Sequence, residues 1–173
     1  SERGCHMDEK SLVLFFSWSG NTRRIAHFIG ETLSADVREL QLETPYPSDY
    51  DAVLKQAKQE IQERRYPILR PLSMEWANYG TIFLGTSNWF STMAPPVASF
   101  LRETMPTEKV IVPFCTHGGG GAGHIAHDMK GYCIGCDVLP ILSICGDGGG
   151  NVKDDVEKWL NQMRRGRKRP QHK

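Results

Sequence analysis

The sequence predicts an α/β sandwich, a parallel sheet of five strands covered by helices on both faces. Apolar runs of strand length recur along the chain, and amphipathic segments with helical spacing separate them. Polar, glycine-rich loops follow the first, third and fourth of these runs, which places all three at one edge of the sheet. With 173 residues and 39% hydrophobic content the chain can bury a full core, and no repeat or linker divides it.

Ser11–Phe16 is a continuous apolar run and opens the sheet. Asn21–Leu33 follows as a helix, with Ile25, Phe28, Ile29 and Leu33 on one face. Val37–Leu42 alternates as the second strand, "TPYPSDY" breaks the chain, and Tyr50–Arg65 is a charged helix with Val53, Ala57 and Ile61 on one side. Thr81–Gly85 and Val110–Cys115 are buried strands, and between them Ala94–Met105 is a helix opened by Pro95 and Pro96. Gly121–Lys130 and Asp155–Met163 complete the helices around a fifth strand, Val138–Cys145.

Charge divides the chain unevenly. Residues 164–173, "RRGRKRPQHK", hold six of the 21 Lys and Arg and none of the 20 acids, so the remainder carries −5. A short basic terminus of this kind is expected to be a solvated, disordered tail rather than a nucleic-acid or membrane site. The folded domain is therefore expected over 8–163, with 1–7 an expression scar or extension. No segment reaches the roughly 18 apolar residues of a membrane span. Five cysteines, an odd number with several in apolar segments, do not form a secreted disulfide framework, and a cytoplasmic protein is expected.

The three loops carry the chemistry. Ser17-Trp18-Ser19-Gly20-Asn21-Thr22 offers four hydroxyl or amide side chains around a glycine, more than one helix cap needs, where a strand ends and a helix dipole begins. That suits a phosphate, with the Thr22 hydroxyl expected to reach it from the first helical turn. The loop has no lysine, the chain has no G-x-x-x-x-G-K-[ST], and no G-x-G-x-x-G follows strand 1. A triphosphate with Mg²⁺ and a conventionally held dinucleotide are thereby disfavoured, leaving a monophosphate. Thr86, Ser87, Asn88, Trp89 and Phe90 form a second loop, expected to be too polar for burial and to hold an exposed Trp89 indole for stacking on a flat heterocycle. Thr116, His117, Gly118, Gly119 and Gly120 form the third, where glycine lets backbone amides approach a ring edge. A phosphate, a plane and a hydrogen-bonding edge together describe flavin mononucleotide, FMN.

At these residues the chain resembles the flavodoxin-like family, whose phosphate loop [ST]-x-[ST]-G-N-T is matched by Ser17–Thr22. It is most similar to the shorter subgroup with a helical insertion after strand 2, here "PYPSDYDAVLKQAKQEI", and a "FCTHGGGG" loop after strand 4. The resemblance spans Leu12 to Met163. It implies strand order 2-1-3-4-5, FMN phosphate bound by Ser17, Ser19, Gly20, Asn21 and Thr22, and a ring flanked by Thr86–Phe90 and Thr116–Gly120. Many relatives carry Tyr-Pro-x-Trp where this chain has Thr86-Ser87-Asn88-Trp89, and Trp18 inside the phosphate loop is unusual. Electron-carrier members are strongly acidic, more so than the −5 found here.

Other groupings are weaker. Cys133-x-x-Cys136 stands without a second CxxC and reads as two semi-buried thiols rather than a redox pair or half a zinc site. His117 belongs to the ring loop, whereas His124 and His127 read as surface residues without a carboxylate set to complete a metal site. Asp147 is a turn residue and Asn151 a helix cap. The function expected is electron transfer through FMN, as a flavodoxin-type carrier or a small FMN-dependent oxidoreductase without separate catalytic side chains. The alternative is a flavin-fold binding or regulatory module without redox work. Expected partners are a redox protein or a small donor or acceptor such as NAD(P)H or a quinone, which reaches an open flavin face at, for example, a homodimer contact.

Overall fold

The computed structural model describes residues 10–168. The expected extension at 1–7 and the end of the basic tail, 169–173, lie outside the described residues. In chain order the elements are β1 (Lys10–Phe15), α1 (Asn21–Leu33), β2 (Asp36–Glu39), α2 (Tyr50–Glu63), β3 (Tyr79–Trp89), β4 (Thr92–Met93), α3 (Pro95–Thr104), β5 (Val110–His117), α4 (Ile125–Tyr132), β6 (Asp137–Val138), β7 (Leu142–Cys145) and α5 (Val152–Lys168). The sheet runs β2-β1-β3-β5-β6, with β7 also on β5 and β4 on β3. All its pairings are parallel except the β3–β4 hairpin. Counting β6 and β7 as one interrupted strand gives the expected order 2-1-3-4-5.

The interruption has a chemical cause. β6 pairs Val110 and Ile111 of β5, and β7 pairs Phe114 to His117, so Val112 and Pro113 have no partner on that side. Pro140 lies in the corresponding break. Neither proline has an N–H to give a ladder, so a gap here costs few hydrogen bonds.

Two apolar layers cover the sheet. On one face Leu12, Leu14, Ile82, Leu84 and Ile111 meet Val53, Ala57, Val97, Leu101, Ile125 and Met129 from α2, α3 and α4. On the other Val13, Phe15, Phe83, Val112 and Phe114 meet Ile25, Ile29, Val156 and Leu160 from α1 and α5. Gly85, in β3, sits where any Cβ would lie 2.3 Å from the Phe114 ring, so the central strands leave no room for a side chain there.

Some boundaries differ from expectation. Strand 2 ends at Glu39, and Leu42 instead bridges Leu69 in the segment returning from α2. Arg64 leaves α2 in the left-handed region and so ends the helix. α4 starts at Ile125 rather than Gly121 because Gly119, Gly121 and Gly123 all take positive φ. α5 begins earlier and continues to Lys168, so residues 164–168 extend a helix and do not start a disordered tail. Val152, Val156 and Leu160 anchor its inner side.

Candidate functional site at the carboxyl edge of the sheet

β1, β3 and β5 end side by side, and their last residues meet the first turn of α1. α1 begins after Gly20, whose φ of 99° is left-handed, and no side chain caps its first turn. The start of α2 differs, since Asp49 there accepts a hydrogen bond from the Ala52 N–H at 2.9 Å. An uncapped start leaves its amides and the positive end of the dipole for an external anion. The Gly20 N–H donates to Ser17 Oγ at 3.0 Å, which folds the loop back on itself. Ser19 remains exposed and Asn21 half-buried.

Thr22 departs from expectation. It is 0% exposed, and its hydroxyl shares hydrogen bonds with Thr116 Oγ1 at 2.8 Å and, at 3.4 Å, with Ser87 Oγ. Its side chain thus ties α1 to β3 and β5 beneath the site, rather than facing outward to a phosphate. Three residues from α1, β3 and β5 are joined in one hydroxyl cluster.

The second loop is a correction. Thr86–Trp89 continues β3, turns at Phe90 and Ser91, and pairs back through β4, with Trp89 opposite Thr92 and Asn88 opposite Met93. Trp89 is only 8% exposed, so the expected exposed indole is absent. Its ring packs edge-on against Phe16 at 5.8 Å and Tyr46 at 5.5 Å between centroids. Two of the hairpin's polar side chains find partners inside the protein. The Ala94 N–H donates to Thr86 Oγ1 at 2.9 Å, and Asn88 Nδ2 donates to the Gly121 carbonyl at 2.6 Å. Phe90, at the turn, is the exposed aromatic of the pair.

Trp18 is half-buried. Its indole N–H donates to the Pro47 carbonyl at 3.2 Å, and its ring tilts against Tyr50 at 5.8 Å. It closes one side of a cleft of about 670 Å³ that includes Ser17, Ser19, Glu39, Tyr46 and Pro47. Tyr46, inside the "TPYPSDY" break, carries no sequence signal beyond its aromaticity. Its hydroxyl donates to Glu60 at 2.6 Å, and burial, reinforced by that carboxylate, pushes the phenol well above its usual pKa.

The third loop is open. Gly118, Gly119 and Gly120 are exposed, and a Cβ on any of them would meet nothing within 4 Å. The Gly119 N–H donates to His117 Nδ1 at 3.0 Å. His124 and His127 are exposed, as expected of surface residues, and among the described residues no cluster of potential metal ligands occurs. Asp147 is a turn residue, its Oδ1 accepting from the Gly149 N–H at 2.9 Å. Cys133 is buried, and burial with the neighbouring Cys136 raises its thiol to about 12, which fits a structural pair.

The two arginines at the start of α1 are engaged. Arg23 donates to Glu39 at 2.9 Å, and Arg24 reaches the Asp147 carbonyl and lies 5.0 Å over the Phe28 ring. A phosphate here would therefore be held by amides, hydroxyls and the helix dipole. Towards the ring end, Asn88 Oδ1 is buried without a partner, an acceptor waiting for an N–H donor. Uncapped amides, an orphaned acceptor and an open glycine loop fit the phosphate, the hydrogen-bonding edge and the plane of FMN.

The comparisons with known proteins agree. The sequence model of the family described as Flavodoxin matches residues 10–163. An uncharacterised protein of Archaeoglobus fulgidus is 24% identical over 155 residues, 86% of this chain and 97% of that protein. A crystal structure from Bacteroides eggerthii superposes with a TM-score of 0.78 at 22% identity, covering 89% of this chain and 97% of the other. A flavoprotein in complex with FMN from Lactobacillus acidophilus gives 0.72 at 22% identity, over 88% and 99% of the two chains. At these identities the two structures speak for the fold, whereas the family match spans nearly every described residue, and on it the chain belongs to the flavodoxin family.

Proposed function

We propose that this protein binds FMN at the carboxyl edge of its sheet and transfers electrons through it, as a flavodoxin-type carrier or a small FMN-dependent oxidoreductase. The observation that carries the reading is the uncapped start of α1, held against β3 and β5 by the buried Thr22–Ser87–Thr116 cluster beneath it. When bound, FMN supplies reversible one- and two-electron chemistry at its ring. The chain's own part is to bind, orient and tune. Ser17, Ser19 and the Gly20–Thr22 amides hold the phosphate end. Asn88 Oδ1 accepts from the ring edge, and the Gly118–Gly120 backbone borders the plane. Trp18 and the Phe16–Tyr46–Trp89 cluster keep water from the β2 side of the cleft.

The partner in this proposal is a redox protein or a small donor or acceptor such as NAD(P)H or a quinone, met at an exposed ring face or across a homodimer contact. A cytoplasmic setting is proposed from the four free thiols among the described residues, Cys115, Cys133, Cys136 and Cys145. No helix among the described residues is long and apolar enough to cross a membrane. The test is uptake of FMN by the purified protein, followed by stopped-flow reduction with NADPH, with and without a quinone. Failure to take up FMN overturns the reading, and the kinetics separate carrier from enzyme.

A further inference from the structure

A second cavity of about 690 Å³ opens on the other side of the β3–β4 hairpin, between the end of α2 and α4. Its volume suits a small organic molecule. The hairpin turn forms one wall. Phe90 and Ser91 have φ of 57° and 65°, a conformation that two-residue turns usually fill with Asn-Gly, and one costly for a bulky side chain. The turn is pinned in place. Ser91 O accepts from the His124 N–H at 2.6 Å, and a Cβ on Gly123 would fall 2.7 Å from that same oxygen. Phe90 is thus 47% exposed yet held at the cavity rim.

The polar lining is unequal in what it has left to offer. Glu60 already accepts from the Tyr46 hydroxyl at 2.6 Å, and Asp128 Oδ2 from the Thr92 hydroxyl at 2.5 Å. Arg65 pairs with Glu63. Among the described residues no hydrogen bond or ion pair engages the Arg64 guanidinium, and the His124 and His127 side chains are likewise unengaged. Tyr66 and Tyr132 share one hydroxyl hydrogen bond at 2.7 Å, which leaves one of their two protons to donate. Glu60 and Asp128 each keep one free oxygen, so the cation the lining leaves without a partner is Arg64, beside an apolar floor that includes Ile61, Met93 and Ala98.

We propose that this cavity binds a planar aromatic molecule carrying an anionic oxygen group, with Phe90 against its ring and Arg64 on its charge. Because Phe90–Met93 line this cavity and Asn88, in the same hairpin, is the residue assigned to the flavin ring edge, the cavity's ligand is the small-molecule redox reactant. That last step rests on the flavin reading, whereas binding itself does not.

The test uses 2-naphthoate and the cation 2-naphthylmethylammonium as probes, titrated calorimetrically into the full chain. Naphthoate should bind saturably and at least tenfold more tightly than the cation. Arg64→Gln should remove most of that difference, and Phe90→Ala should weaken both probes. No saturable naphthoate binding, preference for the cation, or an unaffected Arg64→Gln protein each overturns the proposal. FMN titration of Arg64→Gln should match the parent, and a parallel loss of FMN would make this cavity part of the flavin cleft and overturn it as a separate site. Naphthoate binding in a protein that takes up no FMN would leave this site standing and remove the flavin reading alone.

Discussion

Replacing Thr22 with valine keeps its shape and removes one hydroxyl from the cluster under the site. Thr116, only 4% exposed, would lose its 2.8 Å partner, and Ser87 its 3.4 Å contact. A buried polar group left without a partner costs about 1–3 kcal/mol. For a domain of this size each kcal/mol moves the melting midpoint by roughly 2–4 °C. Apo protein carrying Thr22→Val should therefore melt about 2–12 °C lower, with a lower urea midpoint at unchanged m-value. FMN affinity should fall less than tenfold, because the hydroxyl faces the cluster rather than the anion. Ser19→Ala is the contrasting case. Its exposed hydroxyl supports nothing in the apo fold, so stability should hold while FMN weakens by about 1.5–3 kcal/mol, the scale of a hydrogen bond to a charged group. An apo melt unchanged by Thr22→Val, together with a tenfold or greater loss of FMN, would refute the buried-cluster account.

Trp89→Ala should behave as a core deletion, lowering stability by about 3–5 kcal/mol in urea unfolding of the apo protein. Gly85→Ala drives a methyl against the Phe114 ring and should cost about 1–3 kcal/mol by the same assay. Alkaline pH should destabilise the fold, since Tyr46, Tyr79, Tyr132, Cys115 and Cys133 are all held protonated above their ordinary values. At neutral pH both states keep these protons, and as pH rises through about 8 to 10 the unfolded chain releases them first, the cysteines before the tyrosines. These groups should therefore contribute no slope near neutral pH, and stability should decline from about pH 8 towards pH 12, where Cys133 and Tyr132 ionise in the fold. Removal of residues 164–173 should leave the melting midpoint nearly unchanged, because α5 is anchored by Val152, Val156 and Leu160.

The frame of the molecule was legible because buried parallel strands and one-sided helices leave strong periodic marks, as in Leu12–Phe15 and the Ile25, Ile29 face of α1. The phosphate loop was legible from its crowding of hydroxyls at a strand-to-helix junction. The hairpin after β3 was misread for a definite reason. Thr86, Asn88 and Thr92 look like solvent-facing residues by composition, yet each finds a partner inside the protein, at Ala94, Gly121 and Asp128, so the segment can be buried. Trp89 then turns inward and Phe90 takes the exposed position. The direction of the Thr22 hydroxyl was equally hidden, since its partners lie 65 and 94 residues away. Tyr46 and the second cavity depend on how the insertion after β2 packs, and no local pattern records that.

The broken fifth strand bears on how copies of this chain can meet. A sheet edge invites another chain when it offers a long, regular row of unpaired backbone groups. Beyond β5 the outer ladder exists only as segments of two and four residues, separated at Pro140. A neighbouring strand arriving there would find no continuous template, and its register would fail at the proline. The protein is thereby guarded along this border against sheet-to-sheet growth.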